Sequence, residues 1–100
     1  MTPSELSVEE TPDTMANYET KGFSKCGFGG EVLVYGREKD SKYIAGMINN
    51  FCSLLIKGDR FDPNRVHYIH NHECHYHFRV LEYPIPLYGR VKYQLIPIKD

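Results

Sequence analysis

From Gly22 onward the chain alternates short apolar runs with turn residues, broken once by a longer helical pattern. The stretch Glu31-Val32-Leu33-Val34-Tyr35 is rich in β-branched and apolar side chains, and it reads as a strand stopped by Gly36. Before it, Gly27-Phe28-Gly29-Gly30 supplies a flexible turn, so Phe23-Ser24-Lys25-Cys26 is expected to be the first strand of a hairpin. The glycines precede a strand rather than open a helix, which argues against a phosphate-cradling loop.

The period then changes. Ile44, Met47, Ile48, Phe51, Leu54 and Leu55 recur at three- and four-residue steps, the mark of an amphipathic helix over 40–57. Asp40 or Ser41 is its N-cap and Gly58 its terminating C′ glycine. Three strands follow, over 66–70, 74–82 and 90–96, the last two separated by a loop at Pro84-Ile85-Pro86. Two prolines so close have no place in a central strand. The order is β-β-α-β-β-β. Short connections favour antiparallel neighbours, and the lone helix must cover one face of the sheet. The expected fold is α+β, one helix on a four- to five-stranded antiparallel sheet spanning 21–100.

Residues 1–20 differ in character. They hold five acids (Glu5, Glu9, Glu10, Asp13, Glu19), two prolines and no Lys or Arg, and are expected to be a disordered acidic tail. The other 80 residues carry all 12 Lys and Arg against the remaining eight of 13 acids, a balance of +4. Such a body tolerates an anionic partner without requiring one. Tail and body are complementary, so the tail can compete with such a partner.

Three cysteines, Cys26, Cys52 and Cys74, form no disulfide spacing, and no secretory leader or membrane-spanning run is visible. A reducing, intracellular setting is the expectation. Cys52 falls beside the helix's apolar stripe, where a thiol serves as a small hydrophobe rather than a nucleophile.

Register predicts the faces of the sheet. Pairing Val66 with Phe78 and Tyr68 with Tyr76 turns those residues and Val80 inward. It places His67 opposite His77, Ile69 opposite His75, and His70 opposite Cys74 on the core side. Val91, Tyr93 and Leu95 point inward, and Arg90, Lys92 and Gln94 outward. The outer face is then rich in histidine and cations.

All five histidines, His67, His70, His72, His75 and His77, lie within eleven residues. Three chemistries compete for them. A zinc or other transition-metal site can use His75 and His77, alternate residues on one strand, with His67 across the ladder. A second version of that site takes His70, His72 and Cys74 with Cys26 at the end of the sheet. A metal-independent ribonuclease can use His67 and His77 as acid and base with Arg79, Arg90 or Lys92 holding phosphate. Glu82 is a weak partner there, since parity turns it to the other face. A binding surface can be made of His67, His75, His77, Arg79, Arg90 and Lys92.

No catalytic motif is present, so the favoured reading is a small non-catalytic regulator or inhibitor module. It uses the outer face or an exposed strand edge, with a protein partner favoured over nucleic acid and no membrane role. Edge pairing through 23–26 or 90–96 would give a homodimer.

Overall fold

A computed structural model describes residues 14–72 and 74–98. Five strands, β1 (Met15–Glu19), β2 (Glu31–Arg37), β3 (Val66–His70), β4 (His75–Leu87) and β5 (Val91–Pro97), accompany one helix, α1 (Ser41–Lys57). The strands form a single sheet in the order β1-β2-β5-β4-β3. Every neighbouring pair is antiparallel except β2 and β5, which run parallel. Among the described residues no helix is long and apolar enough to cross a membrane.

The helix forms where its periodicity places it. Ile44, Met47, Ile48, Phe51 and Leu55 are buried, and Leu54 packs at the edge of the same cluster. Gly58 adopts φ 111°, and its N–H caps the carbonyls of Leu54 and Leu55. At Asp40 the carboxylate makes no cap bond to the helix; it accepts from Arg37 Nε at 2.9 Å. Phe51 sits at the centre of the core. Its ring lies 4.8 Å from Phe61, 5.6 Å from Tyr93 and 6.0 Å from Phe78, centroid to centroid. Gly46 lies in the helix because the Tyr76 hydroxyl occupies the space its Cβ would need.

Several features depart from the sequence expectation. The segment 23–26 is a 3-10 turn, and the hairpin partner of β2 is Met15–Glu19, inside the stretch expected to be a disordered tail. The folded unit therefore begins before residue 21, while 1–13 lie outside the described residues. Backbone pairing along the free flank of β2 holds β1 in place despite its few large apolar side chains, helped by Tyr18, whose hydroxyl donates to the Arg37 carbonyl at 3.0 Å. Gly36 does not stop β2; a Cβ there would stand 2.5 Å from Ile44 Cδ1, so the glycine lets the helix approach.

Pro84 and Pro86 lie within β4 rather than in a loop. Strand β3 covers β4 only at 75–79, so one flank of β4 is open from Val80 onward. The β4–β5 ladder also shifts register between Glu82 and Leu87. Missing N–H groups cost little at such a position. The hairpin then closes at Tyr88 and Gly89, with φ 55° and 74°. Strand β5 was expected at an edge and instead lies at the centre; β1 and β3 are the edges. Helix α1 and the β3–β4 hairpin carry the chain across the sheet, so β5 returns beside β2 in the same direction.

A buried carboxylate organises the turn before β2. Glu31 is 7% exposed, and it accepts hydrogen bonds from Thr20 Oγ1 (2.7 Å), Phe23 N (2.9 Å) and Ser24 N (2.9 Å). Burial pushes its pKa up, but these hydrogen bonds prevail and hold it down at about 2, below the ordinary 4.5. A lowered carboxylate pKa stabilises the fold above the unfolded value and loses that contribution as pH falls toward 2. Glu31→Gln should therefore cost about 2 kcal/mol at neutral pH. Denaturant melts at a series of pH values should show this gap closing between pH 4.5 and 2.

Candidate functional site

The helix lies on one face of the sheet. On the other face, strand parity aligns Met15 and Asn17 of β1, Leu33, Tyr35 and Arg37 of β2, and Gln94 and Ile96 of β5. His75, His77, Arg79 and Leu81 of β4 continue the surface, and Val66, Tyr68 and His70 of β3 complete it. Ile96 is central, directly opposite Arg79 and one step beyond the Val34–Leu95 pair. Several large side chains here face solvent: Tyr68 is 62% exposed, Tyr35 51%, Met15 44%, Leu81 38% and Ile96 37%.

At the end of β2 and β5 this face runs into a pocket of about 580 Å³. Its walls are mostly apolar, with Met15, Tyr35, Ile44 and Ile96 among them, and His75 and His77 line one side. The Arg37–Asp40 ion pair and Tyr43 stand on the opposite side, at the start of the helix.

The pairing of β3 with β4 decides which histidines share a surface. The observed partners are Val66–Arg79, His67–Phe78, Tyr68–His77, Ile69–Tyr76 and His70–His75. This is one residue away from the expected register. The connecting turn is 71–74, closed by Asn71 N–H to the Cys74 carbonyl (3.0 Å) and Cys74 N–H to Asn71 Oδ1 (2.8 Å). A turn that includes Cys74 shifts every partner by one and reverses β3.

Strand β3 therefore turns His67 and Ile69 to the core and Val66, Tyr68 and His70 outward. The ring of His67 packs 4.9 Å from Phe61 and 6.2 Å from Phe78, and its Nε2 donates to the Asp62 carbonyl at 2.7 Å. His67 thus leaves the expected outer cluster, and His70 joins it. The His70 ring lies 4.4 Å from His75 and 5.6 Å from His77, with Tyr68 4.5 Å from His77. Cys74 packs against the core beside Tyr76, away from these three rings. His72 is exposed in the turn.

These placements sort the expected sites. His67 and His77 lie on opposite faces, so the acid–base pair of a nuclease is not assembled. The metal set His67, His75 and His77 is divided in the same way, as is the version joining His70 to Cys74. Of the expected binding surface, His75, His77 and Arg79 stay together. Arg90 lies in the turn at the other end of β5, paired with Glu19 at 2.7 Å and stacked over Tyr88. Lys92 donates from Nζ to the Tyr83 carbonyl at 3.0 Å. Glu82 sits opposite core-facing Tyr93, as parity requires.

Tyr35, Tyr68, Leu81 and Ile96 were not singled out from the sequence as surface residues. The one available signal was the unbroken apolar run 32–35, which marks a strand with apolar side chains on both faces.

No group of three or more His, Cys, Asp or Glu among the described residues is arranged to hold a metal ion. No family model matches the chain, and no curated protein or solved structure matches it significantly. What defines the protein is its architecture: among the described residues, an α+β fold of one α-helix on a five-stranded sheet whose other face exposes several apolar side chains.

The three thiols differ in environment. Cys26 is exposed, whereas Cys52 and Cys74 are partly buried. Burial, reinforced by Cys26 and Glu31 nearby, pushes the Cys52 thiol up to about 11. Because the thiolate is the reactive form, Cys26 should be alkylated first and Cys52 last at mildly alkaline pH. Peptide mapping after timed iodoacetamide treatment checks the order.

Proposed function

We propose that this protein is a non-catalytic interaction module that engages a protein partner through the helix-free face of its sheet. The observation that carries the reading is the exposed set Met15, Tyr35, Tyr68, Leu81 and Ile96 on one continuous face. A folded chain gains by burying such side chains, and the one α-helix among the described residues is committed to the other side.

The composition of the face fits a protein better than a nucleic acid. Aliphatic Leu81 and Ile96 occupy its middle, and a phosphate backbone offers them nothing. Tyrosine and arginine beside an apolar centre are the residue types that dominate protein interfaces. Of the cations, Arg79 stands near the centre, while Arg37 is paired with Asp40, Arg90 with Glu19, and Lys92 donates to the Tyr83 carbonyl. Histidine and arginine favour a partner whose contact patch is apolar at the centre and acidic at the rim. Such a protein acts by covering a partner's surface, as regulators and inhibitors do.

The test is photocrosslinking from position 81 in native extract, with the crosslinked species identified by mass spectrometry. The wild-type chain should crosslink to a distinct protein, and nuclease treatment should leave that product intact. A Tyr35→Asp/Ile96→Asp double variant should lose the product, with affinity for the identified partner reduced about thirtyfold or more. Its melting temperature should change by only a few degrees, because both side chains are substantially exposed. Crosslinks only to RNA, or equal crosslinking by the double variant, would overturn the reading.

A further inference from the structure

We propose that β1 is a self-pairing edge: Met15–Glu19 joins antiparallel to the same strand of a second copy of this chain, and the two sheets become one across a twofold axis at Asn17. The contact is independent of the helix-free face and of any protein bound there.

The edges of the sheet decide where a copy can add. An open strand flank offers a row of unpaired N–H and C=O groups to another chain. The stretch 90–96, expected to pair in this way, lies at the centre of the sheet, and 23–26 is a 3-10 turn. That leaves β1, β3 and the part of β4 beyond the reach of β3. On β4 this flank carries Pro84 and Pro86, which have no N–H to give. Strand β3 follows Arg65 and carries His70, so pairing it with itself gathers basic side chains. Strand β1 has no proline, no lysine and no bulge.

The ladder with β2 shows which backbone groups of β1 face outward. The Thr14 carbonyl accepts from Glu38 N–H at 2.8 Å, and Thr20 N–H donates to the Val32 carbonyl at 3.0 Å. Direction alternates along a strand, so Ala16 and Tyr18 also turn their backbone groups to β2. Those of Met15, Asn17 and Glu19 turn away from the sheet, and among the described residues they have no backbone partner. An antiparallel copy centred on Asn17 sets Met15 against Glu19 and Asn17 against its own counterpart. Every outward N–H and carbonyl of the strand then meets a complementary group.

The side chains agree with this register. No like charges are opposed, because Glu19 faces a methionine and keeps its ion pair with Arg90 of its own chain. The two Asn17 amides, each with donors and an acceptor, meet at the axis. On the helix side Ala16 lies opposite Tyr18, small against large. A groove of about 410 Å³ between β1 and α1, with Tyr18, Thr20, Ala45 and Ile48 among its walls, leaves room there. A twofold contact requires this kind of self-complementarity.

The test uses the full chain without an affinity tag. Sedimentation at rising concentration should show a monomer–dimer equilibrium, and the melting temperature should rise with concentration. Amide hydrogen exchange at Met15, Asn17 and Glu19 should slow as the dimer forms, whereas that of β3 should not. Asn17→Pro removes an N–H that points away from β2, so the fold should survive and the dimer should be lost. Asn17→Lys and Asn17→Asp should each weaken self-association about tenfold or more, since like charges then meet at the axis. Mixing these two charge variants should restore association as a heterodimer. Circular dichroism melts confirm that each variant folds. A chain that stays monomeric, or a dimer that Asn17→Lys leaves intact, would overturn the proposal. So would failure of the mixed charge variants to associate, or protection gained on β3 instead.

Discussion

One helix has to cover a sheet of five strands, and the rest of the molecule follows from that constraint. A 17-residue helix is roughly 25 Å long and about 10 Å wide, whereas five strands span roughly 19 Å between the outer axes. The helix runs over the middle of the sheet, with Phe51 at the centre, and cannot reach both edges. Aromatic residues from the connections fill the remainder. Phe23 stacks on Phe28 at 5.1 Å on one side, and Phe61 meets Phe51, Phe78 and His67 on the other. His67 is thereby drawn to the edge of the core beside this aromatic fill, half-buried, with its Nε2 donating to the Asp62 carbonyl.

Among the described residues, the same constraint leaves the second face without a covering helix. No further element among the described residues covers Tyr35, Tyr68, Leu81 and Ile96, which stay exposed at the surface. The open face, the pocket at its end and the three-histidine corner are continuous. His75 and His77 belong to both the corner and the pocket wall.

Polar interactions fix what packing leaves loose. Glu31 ties the turn at 23–26 to β2, and Thr20 both donates to its carboxylate and accepts from Val32 N–H. This cluster joins the end of β1 to the start of β2 and explains how a strand with few large apolar side chains remains docked. At the far end of the same hairpin, the Tyr18 hydroxyl and the Arg37–Asp40 pair do similar work.

Local pattern alone determined the helix, its Gly58 terminus, the strands 31–35 and 66–70, and the inward set Val91, Tyr93 and Leu95, because periodicity and capping act within a few residues. The inward set of β4 and the order of elements from β2 onward were legible for the same reason. Pairing partners were not. The strand at Met15–Glu19 exists only because β2 offers it a free flank. Pro84 and Pro86 are tolerated only because β3 ends before reaching them. The parallel neighbour of β2 is chosen by a crossover that no local pattern encodes. The histidine cluster shows the difference most plainly. Five histidines in eleven residues marked the place, but one extra residue in the turn at 71–74 sent His67 inward and His70 outward. Side chains alternate with a period of two, so a shift of one residue in register, fixed by tertiary pairing, reassigns every side chain of the strand.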